Sequence, residues 1–186
     1  MNKFVLTLIS LLFAFSGCDD SFSPKPSGYF RFDLPNHEYQ KHESDCGISF
    51  DIPTYAKVYP GDQDCWMNLF IAPIQATVHI SVNQVDDNLD QFLEDAQELV
   101  YKHTSKSEGI KQSLFEDNIK RVHGMLYELS GEPASAVQFY ATDSTDHFIR
   151  GALYFYSAPN SDSLAPLVEF ATEDIRQLIS SIEWEK

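Results

Sequence analysis

Residues 88–104 read NLDQFLEDAQELVYKHT and are the stretch that decides the fold. Leu89, Phe92, Leu93 and the apolar residues that follow recur at the three- and four-residue spacing of one helical face. This spacing predicts an amphipathic helix. The residues on both sides of the segment follow a different period, so the helix divides the chain into two parts.

In both parts apolar residues alternate with polar ones, which is typical of half-buried strands. Before the helix these segments are 28–34, 48–52 with 56–58, 65–72 and 78–82, and after it they are 111–116, 121–129, 134–141 and 148–157. Segment 65–72 (CWMNLFIA) is almost continuously apolar, which predicts a central strand covered on both faces.

A second amphipathic stretch closes the chain, with Leu167, Ala171, Ile175 and Leu178 on one face and Thr172 as the expected cap of a second helical segment. The order strands, helix, strands, helix excludes a regular βαβ repeat. It favours an α+β fold in which a mostly antiparallel sheet is flanked by helices. The ending 175–184 (IRQLISSIEW) resembles the last helix of PsbP-like α/β/α sandwiches, an analogy that concerns the fold alone.

The first residues have the pattern of an export signal that ends in a lipid attachment site. Lys3 precedes the uncharged run 4–15, which is too short to span a bilayer and suits the apolar core of a signal peptide. The small residues Ser16 and Gly17 then precede Cys18. We therefore expect a lipoprotein signal peptide at 1–17, a lipidated tether at 18–27 and a single α+β domain at 28–186. The alternative is an ordinary signal peptide with a chance cysteine.

Charge narrows the range of partners. The chain carries 28 acidic and 13 basic residues, a formal net charge of -15. Nucleic acid is therefore excluded as an expected partner, because its binding relies on Lys and Arg. A lipid at Cys18 predicts an envelope protein that faces the periplasm, and the acids Asp19 and Asp20 slightly favour the inner membrane.

Two further cysteines, Cys46 and Cys65, each follow an aspartate in a polar stretch. An oxidising envelope makes a disulfide between them the favoured interpretation, and two buried free thiols are the alternative.

Residues 142–150 (TDSTDHFIR) gather the side chains most suggestive of chemistry. Ser144 with His147 as its base describes an envelope hydrolase, but the strained serine elbow of such enzymes is absent, and Asp and Ser are ordinary turn residues. A polar hairpin tip or docking surface is therefore the preferred interpretation. His37, His42, Asp45 and Cys46 lack the spacing of a metal site, and no cofactor motif occurs, so we expect neither a metal nor a cofactor.

Aromatic residues make up 13% of the chain, and Tyr154, Phe155 and Tyr156 are consecutive on one predicted strand. Aromatics therefore point to both faces of the sheet. Core packing accounts for most of them, and a minority on an exposed face would form a partner-binding surface, since Tyr and Trp dominate interface hot spots.

Three segments together carry a family resemblance: 24–35 (PKPSGYFRFDLP), 65–69 (CWMNL) and 142–155 (TDSTDHFIRGALYF). With the N-terminal lipid signal, they resemble the gliding motility lipoprotein GldD family of Bacteroidota in the same order along the chain. Ser27 stands where a basic residue is expected.

This resemblance implies a non-catalytic cell-envelope lipoprotein required for gliding motility and for the associated type IX secretion machinery, whose partners are other envelope proteins of that machinery. It places the lipid on Cys18 and makes Asp143, His147 and Arg150 candidates for partner contact. The alternatives are the hydrolase that uses Ser144 and His147, and a lipoprotein that binds a small ligand. The ligand-binding alternative predicts a deep apolar pocket between the sheet and a helix.

Overall fold

The fold is described from a computed structural model that covers residues 32–102, 106–157 and 161–185. The predicted signal peptide, the tether and Cys18 lie outside these residues. The strands and helices are β1 Tyr39–Ser44, β2 Ile48–Pro53, β3 Ala56–Pro60, β4 Trp66–Ile71, β5 Ala76–Gln84, α1 Leu89–Lys102, β6 Ser107–Asp117, β7 Val122–Gly131, β8 Val137–Thr142, β9 His147–Phe155, α2 Ser161–Ser181 and β10 Glu183–Trp184.

Seven strands form one antiparallel sheet in the order β3-β4-β5-β9-β8-β7-β6. Three others form a small antiparallel sheet in the order β1-β2-β10. Helix α2 contacts the small sheet closely: the backbone N–H of Asp51 on β2 donates to Ser181 Oγ at 2.7 Å, and Gln177 Nε2 donates to Asp51 Oδ2 at 2.9 Å. The small sheet and α2 therefore lie together on one face of the large sheet.

The main core lies between the large sheet and this layer. Every second residue of the contributing strands points into this core, together with the apolar stripe of α2. Its members include Ile48, Leu69, Phe139, Leu153 and Ile175. Helix α1 covers part of the opposite face, where Val100 packs on Tyr127 and Leu129. The result is an α/β/α sandwich, and the predicted α+β class with a mostly antiparallel sheet is confirmed.

Helix α1 leaves one corner of the large sheet uncovered. The outward residues of β4 are exposed or half-buried: Trp66 is 41% exposed, and Asn68 and Phe70 are partly exposed. The prediction that 65–72 is a strand covered on both faces was therefore wrong: β4 lies between β3 and β5, but no helix in the described part of the chain fully covers its outward face.

Two local predictions also fail. The described end of the predicted strand 28–34, residues 32–34, is not a strand, and the first strand is β1. No residue of β1 is fully buried, so it shows no clear alternation of apolar and polar residues. Thr172 caps nothing: its hydroxyl donates to the carbonyl of Val168 at 2.7 Å inside one continuous helix.

Candidate functional site

Four segments meet at one end of the sandwich and bring together Gly47, Arg121, Asp143, His147 and Trp184, here called the turn-end cluster. Asp143 begins the β8–β9 turn, and its Oδ1 accepts the backbone N–H groups of three following residues at 2.8–3.0 Å. Aspartate is suited to this position because its short side chain reaches the backbone of its own turn. The sequence 143–147 therefore folds around a buried carboxylate.

The second carboxylate oxygen of Asp143 is also occupied. Its Oδ2 accepts from His147 Nδ1 at 2.9 Å and from Arg121 Nη2 at 3.2 Å. Burial by itself raises the pKa of Asp143, but the hydrogen bonds from His147 and from the turn backbone outweigh it and hold the pKa well below its usual range. The side chain is thus an ionised structural anchor. With the residue only 4% exposed, it offers a partner little surface.

His147 is fixed on three sides. Because a carboxylate only accepts, Nδ1 donates to Asp143, and the ring stacks on Trp184 with centroids 5.4 Å apart. The opposite edge faces Gly47, where an added Cβ would lie 3.2 Å from Nε2. Gly47 also has a φ of +72°, so it is the residue that the close approach and the backbone both require.

Ser144 lies on the same turn but is not engaged by His147. It is exposed, with a φ of +67°, and its backbone N–H donates to Thr142 Oγ1 at 3.0 Å. Between these two described residues no hydrogen bond joins the serine hydroxyl to the imidazole. A nucleophile needs its base within hydrogen-bond reach, so the Asp143–His147 pair has the geometry of a catalytic orienter and base without serving Ser144.

Arg150 lies elsewhere, in the middle of β9 on the face that α1 partly covers. It is opposite Ser81 of β5 and Tyr140 of β8 in the strand register. Its Nη2 donates to Gln138 Oε1 at 2.9 Å, and burial lowers the pKa of the guanidinium. The structure thus joins Asp143 with His147 and places Arg150 in a separate environment, so their role in partner contact stays a prediction.

A disulfide joins Cys46 to Cys65, with Cα atoms 5.5 Å apart. Cys46 lies in the turn between β1 and β2, and Cys65 directly precedes β4. The bond therefore links the small sheet to the large one.

His37 and His42, which are near Cys46 in the sequence, lie in different environments in the fold. His37 contacts α2, while the ring of His42 lies 5.5 Å from Phe50. Within 32–102, 106–157 and 161–185 no group of three His, Cys, Asp or Glu side chains could hold a metal ion.

Comparison with known proteins identifies the family. The family model described as gliding motility lipoprotein GldD matches residues 19–184. The chain belongs to this family. Members are envelope lipoproteins related to gliding motility. In the part of the chain that the structure covers, no helix is long and apolar enough to cross a membrane.

The other comparisons inform the fold alone. A search of curated proteins found no match. Among solved structures, the solution structure of cyanobacterial PsbP (CyanoP) from Synechocystis sp. is similar with a TM-score of 0.51 and 7% identity, over 86% of this chain and 99% of that one. The PsbP-like analogy drawn from the terminal helix is therefore confirmed as a statement about architecture.

Sequence reasoning missed a buried polar cluster in this GldD-family chain. Asp174 of α2 is almost fully buried and accepts from His37 Nδ1 at 2.8 Å, Tyr39 Oη at 3.2 Å and Tyr55 Oη at 2.8 Å. Burial raises the pKa of Asp174, and the hydrogen bonds from His37 and Tyr55 oppose it. One signal existed: Asp174 occupies a position on the apolar face of its helix, where an acid needs partners.

Two surfaces also became visible only in the structure. The aromatic face is defined by Tyr59, Trp66, Phe70 and Tyr156 and lies at the corner of the large sheet that α1 leaves open. Tyr59 is 48% and Tyr156 is 74% exposed. On the other side, a groove of about 910 Å³ separates the N-terminal half of α2 from the ends of β7–β9. Its walls are mainly apolar.

Proposed function

We propose that this GldD-family chain is a non-catalytic, lipid-anchored component of the gliding apparatus and of the associated type IX secretion machinery. Cys18 carries the lipid, the domain faces the periplasm, and its work is contact with other envelope proteins. Membership of the gliding motility lipoprotein family supports the assignment to the cell envelope and to gliding.

The observation that carries the non-catalytic role is the position of His147. Its Nδ1 is used by Asp143, its ring stacks on Trp184, and its Nε2 edge faces Gly47. These contacts hold the turn in place and leave Ser144 without a base. The Asp–His pair is therefore a structural device, and the hydrolase alternative loses its main support.

The surface we propose for partner contact is the aromatic face. Tyr and Trp are enriched in interface hot spots, and Tyr59, Trp66 and Tyr156 are three exposed aromatic side chains that offer two hydroxyls and one indole N–H. The ring of Phe70 lies 6.0 Å from that of Tyr156, and both line one pocket with Tyr59. Trp66 lies on the same face of β4 as Phe70. Contact here leaves the turn-end cluster undisturbed.

A cell-based test asks whether the aromatic face is needed for gliding and for secretion. The double variant Trp66→Ala with Tyr156→Ala should lose gliding and secretion while the chain accumulates at its normal level. The matched control is Leu114→Ala, an apolar residue on β6 at the opposite edge of the sheet that is as exposed as Tyr156; it should behave as wild type. Normal gliding in the double variant would contradict the proposed surface.

The hydrolase alternative is tested by Ser144→Gly. Glycine suits the positive φ at this position, so the fold is kept while the hydroxyl is removed. We expect gliding and secretion to be unchanged. Loss of both with a folded chain would show that the hydroxyl acts in chemistry.

The anchor is tested by Cys18→Ser. Without the thiol no lipid can be attached, so the chain should remain unprocessed and lack acyl mass by intact mass spectrometry. A variant that is acylated and retained in membranes like wild type would contradict the anchor.

One observation favours a second candidate, a lipoprotein that binds a small ligand. The groove of about 910 Å³ lies between the sheet and α2 and is lined by Leu129, Phe155, Leu164 and Val168, with Glu169 at its side. Its size falls in the range of ligand sites. Native mass spectrometry of the chain purified from its own envelope tests this: a bound small molecule, lost in Val168→Trp, would support it.

A further inference from the structure

Arg150 is a cation that has no carboxylate partner in the described part of a strongly acidic chain. The full sequence has a formal net charge of -15, yet no ion pair joins Arg150 to any carboxylate of the described residues. Its one hydrogen bond there is the donation from Nη2 to Gln138 Oε1. A guanidinium has five N–H donors, and a partly buried one that lacks an acidic partner keeps an unmet demand for acceptors.

The side-chain amide of Gln138, which accepts from Arg150, also has a donor nitrogen without a described acceptor. Gln138 is 1% exposed, and its Nε2 has no hydrogen-bond partner among the residues that the structure describes. Buried amide donors are almost always satisfied, so an orphaned one next to an unpaired guanidinium needs an explanation. Gln138 does not line the pocket beside Arg150, so an acceptor bound there would contact Arg150, and the Gln138 amide would respond through its hydrogen bond to the guanidinium.

Arg150 lines a pocket of about 460 Å³ beside α1, here called the Arg150 pocket. Its floor is polar and uncharged apart from Arg150, with Asn68, His79 and Ser81 from neighbouring strands. Aromatic and apolar side chains from Trp66 and α1 form its walls. The volume suits a small molecule or one end of a peptide, with a polar head and an apolar body.

We propose that the Arg150 pocket binds a carboxylate. The carboxylate accepts from the N–H groups of Arg150 that have no acceptor among the described residues, and its apolar body packs beside Trp66. A planar carboxylate matches the guanidinium fork with two parallel hydrogen bonds. The exposed acids Asp62 and Asp95 also line the pocket, so a singly charged carboxylate meets less repulsion than a phosphate dianion.

The carboxylate has two possible sources, a free organic acid or the carboxyl end of a peptide. The inference does not rest on the proposed role in gliding, because purified protein tests it without a partner. The full chain in a non-ionic detergent is titrated with phenylacetate, with the neutral isostere phenylacetamide and with phenylphosphonate. A further pair of probes is a short peptide ending in phenylalanine with a free or an amidated C-terminus.

We expect phenylacetate to bind with a millimolar or tighter Kd and to shift the NMR signals of the Arg150 Nε–H and the Gln138 side-chain amide. Phenylacetamide should cause neither. If the free peptide binds at least about tenfold more tightly than phenylacetate, while the amidated peptide does not bind, the source is a peptide terminus.

Two variants locate the site. Arg150→Met should abolish phenylacetate binding. Gln138→Glu supplies an internal carboxylate to the same guanidinium, so it should weaken binding at least about tenfold while the melting temperature is kept or raised. Arg176→Met is the control, because that guanidinium lies on α2 at the opposite side of the sheet and is paired with Glu128; it should bind like wild type.

The proposal is overturned if wild type binds no carboxylate, if phenylacetamide binds as well as phenylacetate, or if phenylphosphonate is preferred. It is equally overturned if Gln138→Glu keeps wild-type affinity. In Gln138→Glu the new carboxylate pairs with Arg150 and so competes with the ligand. A loss of binding in this variant, with the melting temperature kept, therefore cannot be attributed to unfolding.

Discussion

Replacing Asp143 with asparagine tests the turn-end cluster most directly. The amide oxygen of Asp143→Asn can still accept the three backbone N–H groups that Oδ1 accepts now. The amide nitrogen, however, replaces Oδ2 and faces two donors, His147 Nδ1 and Arg121 Nη2. The two hydrogen bonds that Oδ2 accepts are therefore lost, and the new N–H₂ group faces the N–H groups of His147 and Arg121.

The magnitude follows from burial. The hydrogen bond from His147 to a buried carboxylate contributes about 1.5–3 kcal/mol, whereas the contact from the mostly exposed Arg121 contributes less than about 1 kcal/mol. We expect the free energy of unfolding to fall by about 3 kcal/mol at pH 7. In a domain of this size that lowers the melting temperature by roughly 6–12 °C.

The assay is urea unfolding followed by circular dichroism and tryptophan fluorescence, to which Trp184 contributes through its stacking on His147. The matched control is Asp146→Asn, three residues along the same turn. That side chain is exposed, and its one acceptor bond among the described residues is from Thr145 Oγ1, so its loss should cost less than about 0.5 kcal/mol.

The pH dependence gives an independent check. The pKa of Asp143 is lower in the folded chain than in the unfolded chain, so the ionised carboxylate stabilises the fold above the unfolded pKa of about 3.9. This contribution is lost as the pH falls from about 4 toward the folded pKa. The stability difference between wild type and Asp143→Asn should therefore shrink in acid. A difference below about 0.5 kcal/mol at pH 7, or an equal loss in Asp146→Asn, would refute the reasoning.

Three further outcomes are expected. Cys46→Ser should lower the free energy of unfolding by about 3 kcal/mol, because the bond to Cys65 closes a loop with a sequence separation of 19; equal stability of the reduced and oxidised wild type would contradict this. Tyr55→Phe removes a hydroxyl that donates to buried Asp174 and should cost about 1–2 kcal/mol in the same assay, whereas Tyr59→Phe, at an exposed site, should be neutral. Gly124→Ala would place a Cβ 2.0 Å from a backbone oxygen of β8, so it should cost more than about 2 kcal/mol, and a melting temperature like wild type would show that the strands part freely.

The sequence was sufficient for most elements because their periods are strong. Helix α1 was predicted at 88–104 and spans Leu89–Lys102, since its apolar stripe recurs without a break. Strand β1 was missed because it has a neighbour strand on only one side and polar residues on both faces. The outer face of β4 was misjudged because an apolar run does not tell whether a helix covers it; Trp66 is left exposed and Phe70 half-buried.

The candidate site was predicted in composition but not in arrangement. Residues 143–146 form a polar turn between β8 and β9, as their Asp and Ser content indicated. Nothing local showed that His147 would stack on Trp184 or that Arg150 would point to a different environment. The His37–Asp174 contact joins residues 137 positions apart, and such pairs depend on the packed fold rather than on any pattern along the chain.

The disulfide also decides how the domain resists a pulling force. A pull on the chain before residue 32 first loads the contact of His37 with Asp174 and then peels β1 from β2. Peeling must stop at Cys46, because from there the load passes through a covalent bond to Cys65 and into the large sheet. The extension released before that point is at most about 50 Å of chain. Under oxidising conditions the domain can therefore lengthen under load and still keep its core closed.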